Sequence, residues 1–407
     1  MFSEYNSSSY FIDLIALSFL LLPTYIFIPS ALVRRILFIF AGMFLLYFVA
    51  PRLLLFYIMF WIFVFILQRT VAFSAERKGG DIIFWICLAL ILAPMVVWKL
   101  WYHKFNILFN LLGNELLKIL SQRLWEIDLA REIIIPIGMS FATFRAIDLL
   151  IKSYVERLKG LSVDRVLFYG FFPPVQIVGP IIEYDEIQKQ GDSVHVPKPD
   201  DFYQGLMLIV FGLMKVLVIS GALRNSAAIF QTYKTSPFYV VWGSLFLYTW
   251  FFYLNFSGYS DLAIGASRLF GFKLKDNFNF PYFSSNISQF WNCWHMSLSH
   301  FAQRNVYVPL GGYRKKTQYI AISATIMVIA LWHDLTLGMV LFGIYHGVGL
   351  IVNRYVTDRA GKIEMSNRPL GRLAKVFATY IFVALSFPLL VMSLDRALPF
   401  YRALFGV

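Results

Sequence analysis

Apolar runs of membrane-spanning length recur along this chain, and nothing else constrains its fold as much. The first, "YFIDLIALSFLLLPTYIFIP", covers residues 10–29, and further runs follow at 36–50, 53–67, 82–98, 133–151, 204–223, 237–255, 319–333, 336–352 and 373–392. Hydrocarbon offers backbone amides no partner, so only helices or closed barrels cross it. These runs are helical in length and lack the period-2 alternation of a barrel strand. With 59% hydrophobic and 14% charged residues over 407 positions, the chain reads as an all-α polytopic membrane protein with about ten transmembrane or half-spanning helices. Several runs fall short of the roughly 20 residues that an average bilayer requires. The sequence therefore predicts a locally thin membrane or helices that stop halfway.

The net charge of +13 fits cytoplasmic loops and anionic headgroups, and no basic-aromatic motif for nucleic acid is present. Glu4 precedes the first apolar run with no Lys or Arg before it, so a cleavable signal peptide is not expected. Arg34 and Arg35 follow that run, which places the N-terminus outside and the first loop inside. Cys87 and Cys293 are far apart and read as packing residues.

Between the spans, residues 105–127 carry apolar side chains at three- and four-residue intervals, the pattern of an amphipathic interfacial helix. Residues 166–184 are apolar but contain Pro173, Pro174, Gly179 and Pro180, so a broken element lining the interior is expected. From 256 to 316 polar groups and aromatics alternate densely, which predicts short helices and loops folded into the protein. The organisation expected is N-terminal helices over 1–130, a core over 131–350 and a C-terminal loop and helix over 351–407.

Histidines stand out against this background. An ionisable group in the bilayer costs roughly a few kcal/mol and persists only where it faces a cavity, a partner or a task. Of the six, His103 and His195 fall in interfacial or polar sequence, leaving His295, His300, His333 and His346. A metal site on one helix needs ligands three or four apart, whereas His295 and His300 are five apart and His333 and His346 thirteen apart. No metal is expected. A proton relay would recruit carboxylates, and the spans and the folded-in tract hold few, chiefly Asp148 and Asp261. The remaining chemistry is a general base: a neutral imidazole takes the proton of a hydroxyl as it attacks an activated acyl group. No G-x-S-x-G elbow is present, which favours direct transfer without a protein acyl intermediate. A hydrogen-bonded packing histidine is the plain alternative at each position.

The blocks "PIGMSFATFRAID" from Pro136, "FFPPVQIVGPIIEY" from Phe171, "FSGYSDLAIGASRLFGF" from Phe256, "DNFNFPY" from Asp276, "FWNCWHMSLSHF" from Phe290, "YVPLGG" from Tyr307 and "LWHDLTLGMVLFGIYHGVGL" from Leu331 together resemble the membrane-bound O-acyltransferase family. The likeness is to its bacterial branch, which includes the alginate O-acetylation membrane subunit and the teichoic-acid D-alanyl transferase. That resemblance implies a funnel of helices in which a cytoplasmic acyl thioester meets an extracytoplasmic hydroxyl. It carries the catalytic role onto His333 as base, with His295 positioning or polarising the acyl donor. Asn279, Ser257, Tyr259 and Asp261 become candidate tunnel residues, and Arg304 a candidate contact for the donor's phosphates.

The implied function is transfer of an acyl group, acetyl by preference, toward a cell-surface polysaccharide. The donor would be acetyl-CoA or a phosphopantetheinyl carrier protein, with no permanently bound cofactor. Expected partners are that donor, an extracytoplasmic acyltransferase or the polysaccharide itself, and membrane lipids, but no nucleic acid. D-alanyl transfer to teichoic acid is the nearest alternative, and a non-catalytic lipid or polymer translocator lies further off. The sequence departs from the family pattern at "WHD", where WHG is usual, and at Asn305, where Arg304 usually has an aspartate neighbour. Asp334 would raise the basicity of His333 or reorient it.

Overall fold

In a computed structural model, the described residues are 7–102, 138–193, 196–360 and 369–406. The interfacial helix expected at 105–127 lies outside them, as do His103 and His195. Among the described residues the secondary structure is helical throughout, with no strand. The longer helices are α1 Ser7–Phe27, α2 Ala31–Val49, α3 Pro51–Ser74, α4 Gly80–Tyr102, α5 Met139–Val155, α6 Val163–Phe171, α7 Tyr184–Gly191 and α8 Pro199–Leu213. They continue with α9 Phe238–Leu269, α10 Ile287–Cys293, α11 Met296–Ala302, α12 Gln318–His333, α13 Leu337–Ala360, α14 Pro369–Val391 and α15 Leu394–Leu404.

Seven helical stretches among the described residues are long and apolar enough to cross a membrane. The shortness read from the sequence is confined to α5, with 17 residues, and α12, with 16. By contrast α3 and α13 each have 24 residues, about 36 Å at 1.5 Å per residue. The apolar runs looked short because Arg, Gln and Lys at their ends belong to the same helices, with their charged or amide groups turned to partners or to the interface. The helix at 237–255 also runs on, through 256–269, so the first part of the tract expected to be loops continues a 32-residue helix. From Lys275 onward the expectation of short helices and turns holds.

The chain divides into two compact units, one of residues 1–207 with 262–274, the other of 208–261 with 275–407. In the first unit, Phe38 on α2 collects Tyr25, Phe168, Phe172, Phe270 and Phe272 at ring-centroid distances of 5.0 to 6.0 Å, mostly edge-on, the arrangement that the aromatic quadrupole favours. Arg34 and Arg35, taken from the sequence as loop charges, are instead buried on α2. Arg35 pairs with Asp164 at 2.8 Å and Asp192 at 2.7 Å, while Arg34 lies 4.3 Å from the Tyr25 ring centre and donates to the Ile28 carbonyl.

The broken element after α6 is as the prolines predict. A 3₁₀ turn at Pro173–Val175 interrupts a fully buried stretch, and protein groups meet the polar atoms it exposes. Tyr10 donates its hydroxyl to the Pro173 carbonyl at 2.6 Å, and Arg145 donates to the Tyr169 carbonyl at 2.8 Å. Asp148, the carboxylate considered for a relay, accepts from the Tyr184 amide at 2.9 Å. It is a structural acceptor for the chain emerging from the break.

The α2–α6 contact depends on Gly42, where an added Cβ would stand 2.0 Å from the Phe171 carbonyl oxygen. A backbone neighbour cannot rotate away. Gly42→Ala is therefore expected to destabilise the first unit by about 1–3 kcal/mol, measured as a lower thermal unfolding midpoint in detergent. Gly243→Ala, where a Cβ meets nothing within 4 Å, serves as control and leaves the midpoint unchanged or raises it.

Candidate active site

The site is built within the second unit, on the turn that joins α10 to α11. Residues 277–279 run beside residues 293–296, tied by Asn279 N–H to the Cys293 carbonyl at 2.9 Å and Met296 N–H to the Asn277 carbonyl at 2.8 Å. His295 sits in this turn with φ of +44°. A left-handed conformation at a residue with a side chain costs on the order of 1–3 kcal/mol, and the paired backbone on both sides holds it there. The ring is thereby aimed, not left to choose a rotamer.

Around the His295 ring an aromatic box closes. Phe256 stands edge-on at 4.8 Å between ring centres, Phe278 lies roughly parallel at 6.3 Å and Trp332 is edge-on at 6.0 Å. Only 1% of the residue is exposed. Burial, and secondarily the charge that His333 carries when protonated, hold this imidazole well below the usual histidine range, so it is neutral. One ring nitrogen is engaged: Nδ1 lies 3.2 Å from Asn277 Oδ1. The other, Nε2, is buried without a hydrogen-bond partner among the described residues.

Asn277 is the centre of a small polar network. Its Oδ1 accepts from the Ser297 backbone amide at 3.2 Å and from the Ser297 hydroxyl at 2.8 Å, and its Nδ2 donates to Ser260 Oγ at 3.1 Å. All four members lie inside the second unit, and Asn277, Ser260 and His295 are each no more than 2% exposed. In such surroundings the bonds that meet at Asn277 specify one arrangement of its side chain, because a bond left unmade there costs its desolvation.

His333 ends α12, and its ring is 4.5 Å from that of Trp332. Trp332 thus touches the rings of both His295 and His333. His333 is half-buried, where His295 is enclosed. The Asp334 carboxylate is turned onto its own loop, accepting the Leu335 amide at 2.9 Å as α12 ends. His346, thirteen positions on, is buried against Trp291, Phe342 and Phe382, and His300 is exposed.

The other expected residues separate. Asn279 is exposed, and its backbone amide donates to the Cys293 carbonyl. Ser257 is buried on α9, its hydroxyl at 3.5 Å from the Leu254 carbonyl one turn back. Tyr259 is buried on the same helix. Arg304 is half-buried in a π-helical turn, Gln303–Tyr307. Asp261 forms an ion pair with Lys215, Nζ to Oδ2 2.6 Å. Lys215 lies in a π-helical turn, Met214–Ile219, which packs so closely on α9 that a Cβ at Gly258 would stand 2.7 Å from Val216 Cγ2. Sequence reasoning missed Asn277 and Lys215. The "DNFNFPY" block carried the signal for the first, and a lone lysine in an apolar run carried it for the second.

Comparison with known proteins adds a family-wide context. The sequence profile of the membrane-bound O-acyltransferase (MBOAT) family matches residues 36–394. The chain is 28% identical over 330 residues to the probable alginate O-acetylase AlgI of Pseudomonas aeruginosa, covering 79% of this chain and 60% of that protein. It is 30% identical over 251 residues to the peptidoglycan O-acetyltransferase of Helicobacter pylori, covering 60% of this chain and 47% of that protein. It is 29% identical over 267 residues to the teichoic acid D-alanyltransferase of Bacillus subtilis, covering 62% and 67% respectively. The chain therefore spans about six tenths of the length of the alginate relatives it matches.

The Lys215–Asp261 pair makes its own prediction. Lys215→Met leaves a partly buried carboxylate without its cation, which costs about 2 kcal/mol after allowance for the pair's partial exposure. The double variant Lys215→Met with Asp261→Asn removes both charges and recovers most of that loss, read from thermal unfolding midpoints in detergent. Equal destabilisation by single and double variants would show that the pair is not coupled.

Proposed function

The chain belongs to the membrane-bound O-acyltransferase family, and on that premise we propose that it passes an acyl group, acetyl by preference, from a cytoplasmic thioester to a hydroxyl of a cell-surface polysaccharide. It is a multi-pass membrane protein, and the membrane proposed is the cytoplasmic one. In the transfer the hydroxyl oxygen attacks the acyl carbon, the carbon–sulfur bond breaks, and the hydroxyl proton passes through an imidazole to the departing thiolate. His333 and His295 are the proposed catalytic pair. The observation that carries the reading is their setting: two histidines against one tryptophan, one half-buried and one enclosed and neutral with a ring nitrogen uncommitted. A neutral imidazole is the form that takes a proton.

Arg304 is proposed to meet the phosphates of the donor, whether acetyl-CoA or a phosphopantetheinyl carrier, and the half-exposed guanidinium is suited to that contact. Acetyl is preferred over D-alanyl because the similarity to the alginate O-acetylase extends over 79% of the chain, against 62% for the D-alanyltransferase. No metal is called for: the base is an imidazole and the nucleophile is the acceptor's own hydroxyl.

The test is the acyl content of the envelope in a deletion strain carrying wild type or His333→Ala at matched expression, with acyl groups released by mild base and identified by mass. Wild type restores a base-labile group of acetyl mass, and His333→Ala lowers it at least about a hundredfold, the scale of a lost general acid–base group. Equal restoration by the two would remove His333 from the chemistry. An alanyl mass would replace the acetyl reading with the D-alanyl one.

A further inference from the structure

We infer that Asn277 is a positioning residue that fixes the tautomer of His295, so that this histidine enters the reaction as a hydrogen acceptor at Nε2. The inference rests on the acyl-transfer reading above and deepens it. The argument starts from the one group in the network whose role has no ambiguity. The Ser297 backbone amide can only donate, and it points at one end of the Asn277 side chain, 3.2 Å away. That end is therefore the carbonyl oxygen, and the amide nitrogen faces Ser260 Oγ at 3.1 Å. With Asn277 so oriented, His295 Nδ1 lies 3.2 Å from the same oxygen and 3.5 Å from Ser297 Oγ, whose hydroxyl already donates to that oxygen at 2.8 Å, so Nδ1 carries the hydrogen; two lone pairs facing each other in a buried site would repel.

A neutral imidazole has one N–H. With it on Nδ1, Nε2 bears the lone pair, and Nε2 is the nitrogen that no described protein group engages. The chemistry follows from what each substrate atom carries. A thioester oxygen has no hydrogen to give and needs a donor, whereas the acceptor hydroxyl has one. His295 therefore works on the hydroxyl side of the transfer. As the O–C bond forms, the hydroxyl proton passes to Nε2, and the resulting imidazolium keeps its Nδ1–H on the Asn277 oxygen. When the C–S bond breaks, that proton leaves for the thiolate, so the protein ends as it began. On this proposal His295, expected from the sequence to polarise the donor, acts on the hydroxyl instead, and His333 is the second member of the catalytic pair.

The turn explains why this takes an asparagine at 277. The Met296 amide is tied to the Asn277 carbonyl at 2.8 Å, so backbone and side chain of one residue hold the His295 ring and the two residues that follow it. Isolated imidazoles favour the hydrogen on Nε2, and removal of the Asn277 oxygen would let His295 return to that form.

Solid-state ¹⁵N spectra of the full-length protein in lipid, labelled at histidine and assigned by difference from His295→Gln, read the tautomer without any assay of activity. Wild type is expected to show His295 neutral with the hydrogen on Nδ1. Asn277→Leu is expected to move it to Nε2, and Asn277→Asp, whose carboxylate keeps the acceptor, to leave it on Nδ1. In reconstituted transfer assays Asn277→Leu lowers kcat by at least about tenfold with KM unchanged, and Asn277→Asp retains most of the rate. A wild-type His295 protonated on Nε2, or an Asn277→Leu protein whose tautomer and kcat are unchanged, overturns the inference. Failure of the transferase reading is separate, because it shows as no transfer by wild type while the tautomer remains measurable.

Discussion

A backbone amide in hydrocarbon has no water to turn to, and the architecture follows from where this chain obeys that rule and where it breaks it. Most of the chain answers with continuous helices. Among the described residues, the proline-rich segment after α6 and the loop ahead of α10 and α11 do not, and in each, protein groups supply the missing partners. In the first, Tyr10 and Arg145 bind the freed carbonyls. In the second, the chain pairs with itself across Asn277, Asn279, Cys293 and Met296. Irregular backbone away from water is costly unless it is satisfied this way, so its presence marks where geometry is needed more than span.

What the second break provides is a histidine held off its ordinary conformation. The positive φ at His295 is a standing cost that the paired backbone segments on either side and the aromatic box around the ring keep in place. The Asn277 network then determines which face of the ring carries the hydrogen. Enclosure keeps the imidazole neutral, and neutrality is what a proton acceptor requires. Conformation, burial and hydrogen bonding all act on one side chain, and Trp332 links it to the second histidine at the end of α12.

Much of this was legible in the sequence because membrane physics writes strongly into composition. The helical class and the break after α6 follow from apolar run length and proline placement, and the rarity of ionisable residues at depth singles out four histidines, of which the family resemblance picks His295 and His333. The rest depends on tertiary depth, which a residue's type does not reveal. Asn277 and Asn279 are two positions apart in the same polar block, yet one is buried at the centre of the network and the other is exposed. Arg35 reads as a topology marker until its partners Asp164 and Asp192, 129 and 157 positions away, are seen. The pairing of Asp261 with Lys215, 46 positions earlier, is likewise not readable from either residue alone. The apolar runs also misjudged helix ends, since a helix does not stop where its charged residues begin.

The central claim is acyl transfer across a membrane by this chain, and reconstitution tests it most directly. The purified protein is placed in sealed vesicles with an isotopically labelled acetyl thioester on one side only and a polysaccharide acceptor on the other. The account predicts label covalently attached to the acceptor as an ester, at a rate that depends on the protein. Label that stays on the donor side or crosses only as free acetate, with wild-type protein correctly folded, would contradict it.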